Sequence, residues 1–148
     1  MATYTTTIRT TRTAENVFAY MSDVLNFAEW DPGTKSVVQV GGNGPGLDSA
    51  YDVTVSVPGR DMVLTYQVIQ FDRPHLVKAR AESKTLISED LITIAADGDT
   101  TLMTYSADLR FKGLLRVADI GLALAFKRIG DQAAAGLAKY LDGAIVTP

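Results

Sequence analysis

Cysteine is absent from the 148 residues, and histidine occurs once, at His75. The absence of cysteine excludes disulfides, thiolate nucleophiles and thiolate metal sites. With one histidine, we expect no histidine-rich metal site either. The glycine-rich segment 41–46 lacks the Gly-Lys-Ser/Thr ending of a phosphate-binding loop, so no nucleotide cofactor is predicted. We therefore expect neither a metal nor any other cofactor.

Long runs of lysine or arginine are also missing, and the formal net charge is −3. We therefore expect no nucleic-acid partner. The longest apolar run near the C-terminus is Ile120–Phe126, far short of the ~20 residues that span a bilayer, so no stable membrane insertion is expected. The first five residues lack the basic-then-apolar pattern of a signal peptide. A cytoplasmic location is the resulting expectation.

What the sequence does contain is a long stretch of period-two alternation. It is preceded by a predicted strand at Tyr4–Thr11 and by two short helices, capped by Thr13 and by Ser22-Asp23. The alternation predicts six further strands, near 35–41, 49–57, 61–71, 76–82, 86–95 and 101–111. No repeat and no second composition zone occurs, so residues 1–148 are predicted to form one domain.

The turns between these strands predict how they pair. Tight turns at Pro58-Gly59, Arg73-Pro74, Ser83-Lys84 and Asp97-Gly98 place Val55 opposite Met62, Val68 opposite Ala79, Ala81 opposite Leu86, Ile92 opposite Met103 and Asp90 opposite Tyr105. The strands then agree on an apolar face, called the dry face below, while polar residues gather on the other, wet face. The dry face is predicted to contain Tyr51, Val53, Val55, Met62, Leu64, Tyr66, Val68, Val77, Ala79, Ala81, Leu86, Ser88, Asp90, Ile92, Met103, Tyr105, Ala107 and Leu109.

Residues 114–142 have a helical period and are long enough to cover that face. The predicted apolar stripe runs through Leu115, Ala118, Leu122, Ala125, Ile129, Ala133, Gly136 and Tyr140. Gly121, Gly130 and Gly136 cost helix stability, so we expect them either to allow close approach to the sheet or to leave room for a ligand.

Two features of the dry face favour a cavity. Its middle is small, because Ala79, Ala81, Ser88 and Ala107 lie together, and it includes Asp90, its only charged residue. A core built for stability alone would use large aliphatic residues and no carboxylate. The alternative is a filled core in which the helix occupies the space and the polar groups satisfy one another.

The order of elements resembles the START-related superfamily of polyketide cyclases, plant pathogenesis-related allergens and lipid-transfer domains. The resemblance is carried by Ile8-Arg9-Thr10-Thr11-Arg12-Thr13-Ala14-Glu15-Asn16-Val17-Phe18, by Asp23 and Trp30, and by the last hairpin, Asp90–Ile94 and Gly98–Tyr105. It implies an α+β helix-grip fold: a seven-stranded curved antiparallel sheet, two short N-terminal helices and one long C-terminal helix. It also implies a tunnel between sheet and helix, but no particular reaction.

The candidate site follows from these expectations. The cavity-lining candidates are Trp30, Tyr51, Val53, Leu64, Tyr66, Val68, Ala79, Ala81, Ser88, Asp90, Ile92, Met103, Tyr105, Leu109, Leu122, Phe126 and Ile129. Candidate catalytic residues are Asp90, whose pKa burial would raise, together with Tyr66 and Tyr105. Trp30 is expected either at the mouth or in the core. The segment Gly41–Gly46 is expected to be either a lid or an ordinary loop.

Three functions remain open at this point. The favoured one is binding or transport of a small hydrophobic ligand such as a lipid, a quinone or an aromatic metabolite, because no nucleophile–base pair can be assembled from the sequence. The second is a polyketide cyclase or dehydratase that uses Asp90 and tyrosines. The third is a protein-interaction module with a filled core, which would display an exposed apolar patch. The oligomeric state is left open.

Overall fold

The computed structural model describes residues 2–57, 59–113 and 119–147, without the side chains of Val57 and of residues 119–123. An eight-stranded antiparallel sheet is accompanied by short helices and one long helix. The strands are β1 (Ala2–Thr10), β2 (Thr34–Gly41), β3 (Ala50–Val57), β4 (Arg60–Asp72), β5 (Leu76–Glu82), β6 (Leu86–Asp97), β7 (Thr100–Phe111) and β8 (Gly143–Ile145). The helices are α1 (Ala14–Met21), a 3-10 turn (Val24–Asn26), α2 (Phe27–Trp30) and α3 (Asp119–Tyr140). The strand order is β2-β3-β4-β5-β6-β7-β1-β8.

The predicted α+β class with a C-terminal helix is confirmed, and the strand count is eight, not seven. The additional strand, β8, pairs with the end of β1. The chain turns after α3 through Asp142, which has a φ of 50°. Gly143 then lies so close to β1 that an added Cβ would be 2.5 Å from the carbonyl oxygen of Arg9. The sequence pattern predicted a helix that extends to residue 142 and no strand after it, so β8 was not predicted.

The predicted caps of the N-terminal helices are confirmed. The Thr13 side chain accepts a hydrogen bond from the backbone N–H of Asn16 at 3.1 Å. The Asp23 carboxylate accepts one from the N–H of Leu25 at 3.0 Å. Each bond satisfies a backbone donor that the first turn of a helix leaves free. Helix α1 then buries Phe18 against Phe71, with ring centroids 5.2 Å apart, and closes one end of the sheet.

The register of the first hairpins is confirmed: Val55 lies opposite Met62, and Val68 lies opposite Ala79. The register of the last two hairpins was wrong by two residues. Ala81 pairs with Ser88, not Leu86, and Ile92 pairs with Tyr105, not Met103.

Both errors arose at the turns. The β5–β6 connection is longer than two residues, since Glu82 and Ile87 are the last pair before it. The β6–β7 turn is centred on Gly98-Asp99, between Asp97 and Thr100. Gly98 has a φ of 60°, so it supplies the positive φ at the first turn position. A shift of two residues keeps every side chain on its face, so the assignment of dry and wet faces holds. Asp90 and Tyr105 become diagonal neighbours.

The buried stripe of α3 differs from the predicted one. Ala125, Ile129 and Tyr140 are exposed, Ile129 by 42%, while Phe126 is half-buried. The buried positions are Gly130, Ala133, Ala134, Leu137 and Leu141. Both the predicted and the observed sets of buried residues have helical spacing. The observed set faces the core because Gly130 and Gly136 let the backbone of α3 approach Tyr4 and Trp30 closely. Of the predicted stripe, Leu115 and Ala118 lie outside the described residues, as does the side chain of Leu122.

Gly136 and Gly130 are the positions of closest approach of α3. A Cβ at Gly136 would be 2.0 Å from the backbone oxygen of Trp30, and one at Gly130 would be 2.3 Å from the ring of Tyr4. These two glycines therefore allow close packing. Gly121 has no described surroundings.

Candidate functional site

Four polar side chains meet on the dry face and are called the polar cluster below: Tyr66, Ser88, Asp90 and Tyr105. The hydroxyls of Tyr66 and Ser88 share a hydrogen bond of 2.6 Å. The Tyr105 hydroxyl donates to Asp90 Oδ1 at 3.3 Å. Three strands supply these residues, β4, β6 and β7. Tyr66 on β4 reaches Ser88 on β6 across the small Ala81 of β5, which pairs with both.

The residues of the polar cluster share a small residual exposure. Tyr66, Ser88, Asp90 and Tyr105 are 7–8% exposed, and so are their neighbours Thr6 and Ala107. Dry-face residues on the same strands, such as Val68 and Met103, are 0% exposed. The polar cluster is therefore slightly more accessible than the dry-face residues beside it.

The dry face becomes more accessible toward one end, called the open end below. Four residues that pack against the core are only half-buried at this end: Val55 and Met62, which flank the β3–β4 turn, and Leu109 and Phe111, near the end of β7. The opposite end is sealed, since Phe18, Met21 and Ile94 are 0–3% exposed. The half-buried residues of the open end are therefore the more accessible, apolar part of the dry face.

Trp30 and Asp31 complete the surroundings of the polar cluster. The rings of Trp30 and Tyr105 form an edge-on contact with centroids 5.1 Å apart. Trp30 is 1% exposed, so it is a core residue, and its Nε1 is the only buried side-chain donor or acceptor without a partner in the described part of the chain. Asp31 accepts hydrogen bonds from the Gly33 N–H at 2.9 Å and from the Thr34 hydroxyl at 3.0 Å.

Asp31 was missed in the sequence, where Asp31-Pro32-Gly33 indicated only the end of a helix. Its position depends on the packing of α2 against α3, where Gly136 closely approaches the backbone of Trp30, and no local sequence pattern indicates that contact.

The polar cluster is electrostatically unusual. Burial raises the pKa of Asp90 from its ordinary 3.8 to about 7, and the negative charge of Asp31 adds to the effect. Burial also raises the pKa of Asp31. The pKa values of Tyr66 and Tyr105 are raised as well, mainly by burial and then by the charge of Asp90. Both tyrosines therefore remain neutral donors, while Asp90 changes charge near neutral pH.

The other predicted lining residues divide into three groups. The first group is buried on the dry face or in the core and consists of Tyr51, Val53, Leu64, Val68, Ala79, Ala81, Ile92 and Met103. Leu109, at the open end, and Phe126, on α3, are half-buried. Ile129 is exposed, since the buried stripe of α3 is rotated away from it. The Cγ2 atom of Ile129 lies 3.7 Å from the position that a Cβ added at Gly33 would take.

Tyr51 does not join the polar cluster. Its hydroxyl donates to the carbonyl oxygen of Gly44 at 3.4 Å, in the glycine-rich segment. Ser49 donates to the same oxygen at 2.7 Å, and the Gln39 side-chain amide both donates to it and accepts from the Gly44 N–H. The segment is thus held by three side chains, at the end of the sheet opposite the open end. This position does not favour a lid over the open end.

Other candidate sites are few. His75 is exposed in the β4–β5 turn. No cluster of three metal-ligating side chains occurs in residues 2–57, 59–113 and 119–147. Among the helices that the structure describes, none has the length and apolarity to cross a membrane.

The fold has many solved counterparts. A START superfamily protein from Mycobacterium smegmatis superposes with a TM-score of 0.75 at 15% identity, over 96% of this chain and 98% of that one. The Zhui aromatase/cyclase from Streptomyces sp. R1128 gives 0.69 at 16% identity, over 93% of both chains. A conserved protein from Geobacillus kaustophilus gives 0.70 at 16% identity, over 98% and 99%. At these identities, the likeness concerns the fold.

Comparison with protein-family models identifies the family of this chain, which the structural likeness alone does not. No curated protein matches this chain. The family described as "Polyketide cyclase / dehydrase and lipid transport" matches residues 1–142. The helix-grip architecture and this nearly full-length match agree with the resemblance noted in the sequence, and the chain therefore belongs to the polyketide cyclase / dehydrase and lipid transport family.

Proposed function

We propose that this protein binds or carries a small hydrophobic molecule between the dry face and α3, with the polar end of that molecule at the polar cluster. The supporting observation is the residual accessibility of Tyr66, Ser88, Asp90, Tyr105 and Ala107, which are 7–8% exposed, whereas Val68 and Met103 on the same strands are 0% exposed. An apolar lining with a few convergent polar groups is the usual composition of a small-molecule site.

The retention of Asp90 supports the same proposal. An ionised carboxylate in the interior is costly unless it is well paired, and the only hydrogen bond to Asp90 from the described side chains is the 3.3 Å contact with Tyr105. Buried groups with strongly perturbed pKa values cluster at functional sites. Lipids, quinones and aromatic metabolites of the polyketide kind all match an apolar site with one polar end.

Filling the proposed site is expected to abolish binding. In Ala107→Phe a large ring replaces a methyl group beside Asp90, its pairing partner on β6. Binding of the neutral probe N-phenyl-1-naphthylamine, followed by its fluorescence and by quenching of Trp30, should weaken about ten-fold or more, equivalent to ~1.4 kcal/mol.

Val63→Phe is the matched control, because Val63 is 58% exposed on the outer side of the sheet. Circular dichroism and the unfolding midpoint establish that both variants are folded, and Ala107→Val serves if the phenylalanine disrupts folding. Equal binding by the wild type and by a folded variant altered at position 107 would contradict the proposed location.

A second candidate function, cyclisation and dehydration of a poly-β-ketone, is favoured by one observation. Asp90 has a pKa of about 7 and a neutral tyrosine, Tyr105, at 3.3 Å. The carboxylate form of a group with such a pKa can accept a proton from a carbon between two carbonyls. After the resulting enolate carbon has attacked a ketone, the carboxyl group returns that proton to the alkoxide oxygen, which becomes a hydroxyl. The carboxylate can then remove the second proton from the same carbon and deliver it to the hydroxyl, which leaves as water while the carbon–carbon double bond forms.

Catalysis and binding are separable in Asp90→Asn. If the protein is a cyclase, this variant should lose about a hundred-fold or more of its turnover and still bind N-phenyl-1-naphthylamine within three-fold of the wild type, a difference of less than ~0.7 kcal/mol. Product formation is followed by mass spectrometry with a synthetic poly-β-ketone thioester. Unchanged turnover in Asp90→Asn would exclude Asp90 as the acid–base group.

A further inference from the structure

The charges around the polar cluster are all of one sign. Asp90 is the only charged residue among the buried ones that the structure describes, and the other buried polar residues are threonines and serines. Asp31 contributes a second carboxylate, close enough to raise the pKa values of Asp90, Tyr66 and Tyr105. The interior near the cluster is therefore acidic, with no buried cation within the described ranges to balance it.

The cations on the strands nearest to Asp90 lie on the wet face, and Arg110 on β7 is exposed there. Lys78 pairs with Glu89 at 3.3 Å, and Arg80 pairs with Glu82 at 2.9 Å. Both pairs lie on the wet face, since their positions alternate with those of the dry face along β5 and β6. On α3, Lys127 is bonded to Asp131 at 3.0 Å and is exposed.

Asp90 also has unused bonding capacity. The Tyr105 hydroxyl occupies Oδ1, whereas Oδ2 receives no hydrogen bond from any described side chain. The residue retains 7% of its exposure. An ionised carboxylate accepts hydrogen bonds through both oxygens, so Asp90 offers an acceptor beyond the one that Tyr105 uses.

We propose that the ligand places a hydrogen-bond donor, a protonated amine or a hydroxyl, on Asp90, and that the site excludes molecules with a carboxylate at that end. This inference rests on the proposed function and narrows its ligand class. A carboxylate ligand would bring a third negative charge beside Asp31 and Asp90 in a poorly screened interior, where like charges repel strongly. A protonated amine would instead be attracted by the carboxylates and could donate a charge-assisted hydrogen bond to Asp90.

Four molecules with the same apolar body test this proposal: 2-naphthylmethylamine, 2-naphthylmethanol, 2-naphthoate and 2-methylnaphthalene. Titration calorimetry at pH 8 is suitable, because Asp90 is then mostly ionised. The amine and the alcohol should bind about ten-fold or more tightly than 2-naphthoate. In Asp90→Asn the ratio of amine to naphthoate affinity should fall toward one.

The control variant is Asp52→Asn. Asp52 is a wet-face carboxylate that accepts a hydrogen bond from Thr65 at 2.7 Å, and its replacement should leave the ratio unchanged. If 2-naphthoate binds the wild type as well as the amine and the alcohol do, the headgroup inference fails and the proposed function stands. If none of the four binds, 2-methylnaphthalene included, both fail.

Discussion

Replacing Gly136 with alanine is expected to destabilise the protein by about 3 kcal/mol. At an exposed position inside a helix, the same replacement stabilises a protein by up to ~1 kcal/mol. The added Cβ would lie 2.0 Å from the backbone oxygen of Trp30 and 2.9 Å from its carbonyl carbon. Backbone atoms cannot rotate away as a side chain can, so α3 or α2 must move. Urea unfolding followed by circular dichroism measures the loss.

Gly130→Ala and Gly46→Ala are the controls for this prediction. At Gly130 the added Cβ meets the ring of Tyr4, at 2.3 Å, and a side chain can move, so we expect a smaller loss than at Gly136. At Gly46 the nearest atom is Ser49 Oγ at 3.9 Å, and little change is expected. A Gly136→Ala variant as stable as the wild type would show that α3 does not pack on Trp30 in this way.

The second large effect concerns Asp90 and pH. A pKa raised from 3.8 to about 7 in the folded state means that folding favours the protonated carboxyl. The stability that this group confers is therefore complete below about pH 4, declines as the pH rises to about 7 and is lost above it. The full change corresponds to about 4 kcal/mol. Asp31 acts in the same direction, since its pKa is also raised.

Asp90→Asn should therefore be more stable than the wild type at pH 8, by about 2–4 kcal/mol, and equally stable near pH 4. The lowered pKa values of Glu82 and Asp131 have the opposite sign but act only below about pH 4.5, outside this window. Urea unfolding of both proteins at pH 5, 6, 7 and 8 supplies the comparison. A variant less stable than the wild type at pH 8 would mean that the Asp90 carboxylate is well stabilised in the fold.

Much of the fold could be predicted because alternation along the strands is a strong local signal. The separation into dry and wet faces survived two register errors, since each error was a shift of two residues. The errors themselves came from turn chemistry. At the last hairpin Asp97-Gly98 and Gly98-Asp99 are both good turn sequences, and only the positive φ of Gly98 at the first turn position distinguishes them.

The candidate site was harder to predict because it depends on contacts between distant parts of the chain. Asp90, Tyr66 and Tyr105 could be placed on one face from strand alternation alone. Asp31 reaches their vicinity through α2, whose position is set by the contact of Gly136 with Trp30. Periodicity assigns glycine no preference between buried and exposed faces, so neither the rotation of α3 nor the second carboxylate was evident from the sequence.

The most direct test of the central claim is native mass spectrometry of the protein purified from its own host, followed by denaturing extraction of what it holds. The wild type and Val63→Phe should each retain one apolar molecule per chain, and Ala107→Phe should retain none. Extraction then identifies the ligand and shows whether its polar end is a donor. Two results would contradict the claim. One is a wild-type protein that carries no bound molecule and also fails to bind neutral naphthalene probes. The other is a folded Ala107→Phe variant that retains the same molecule as the wild type.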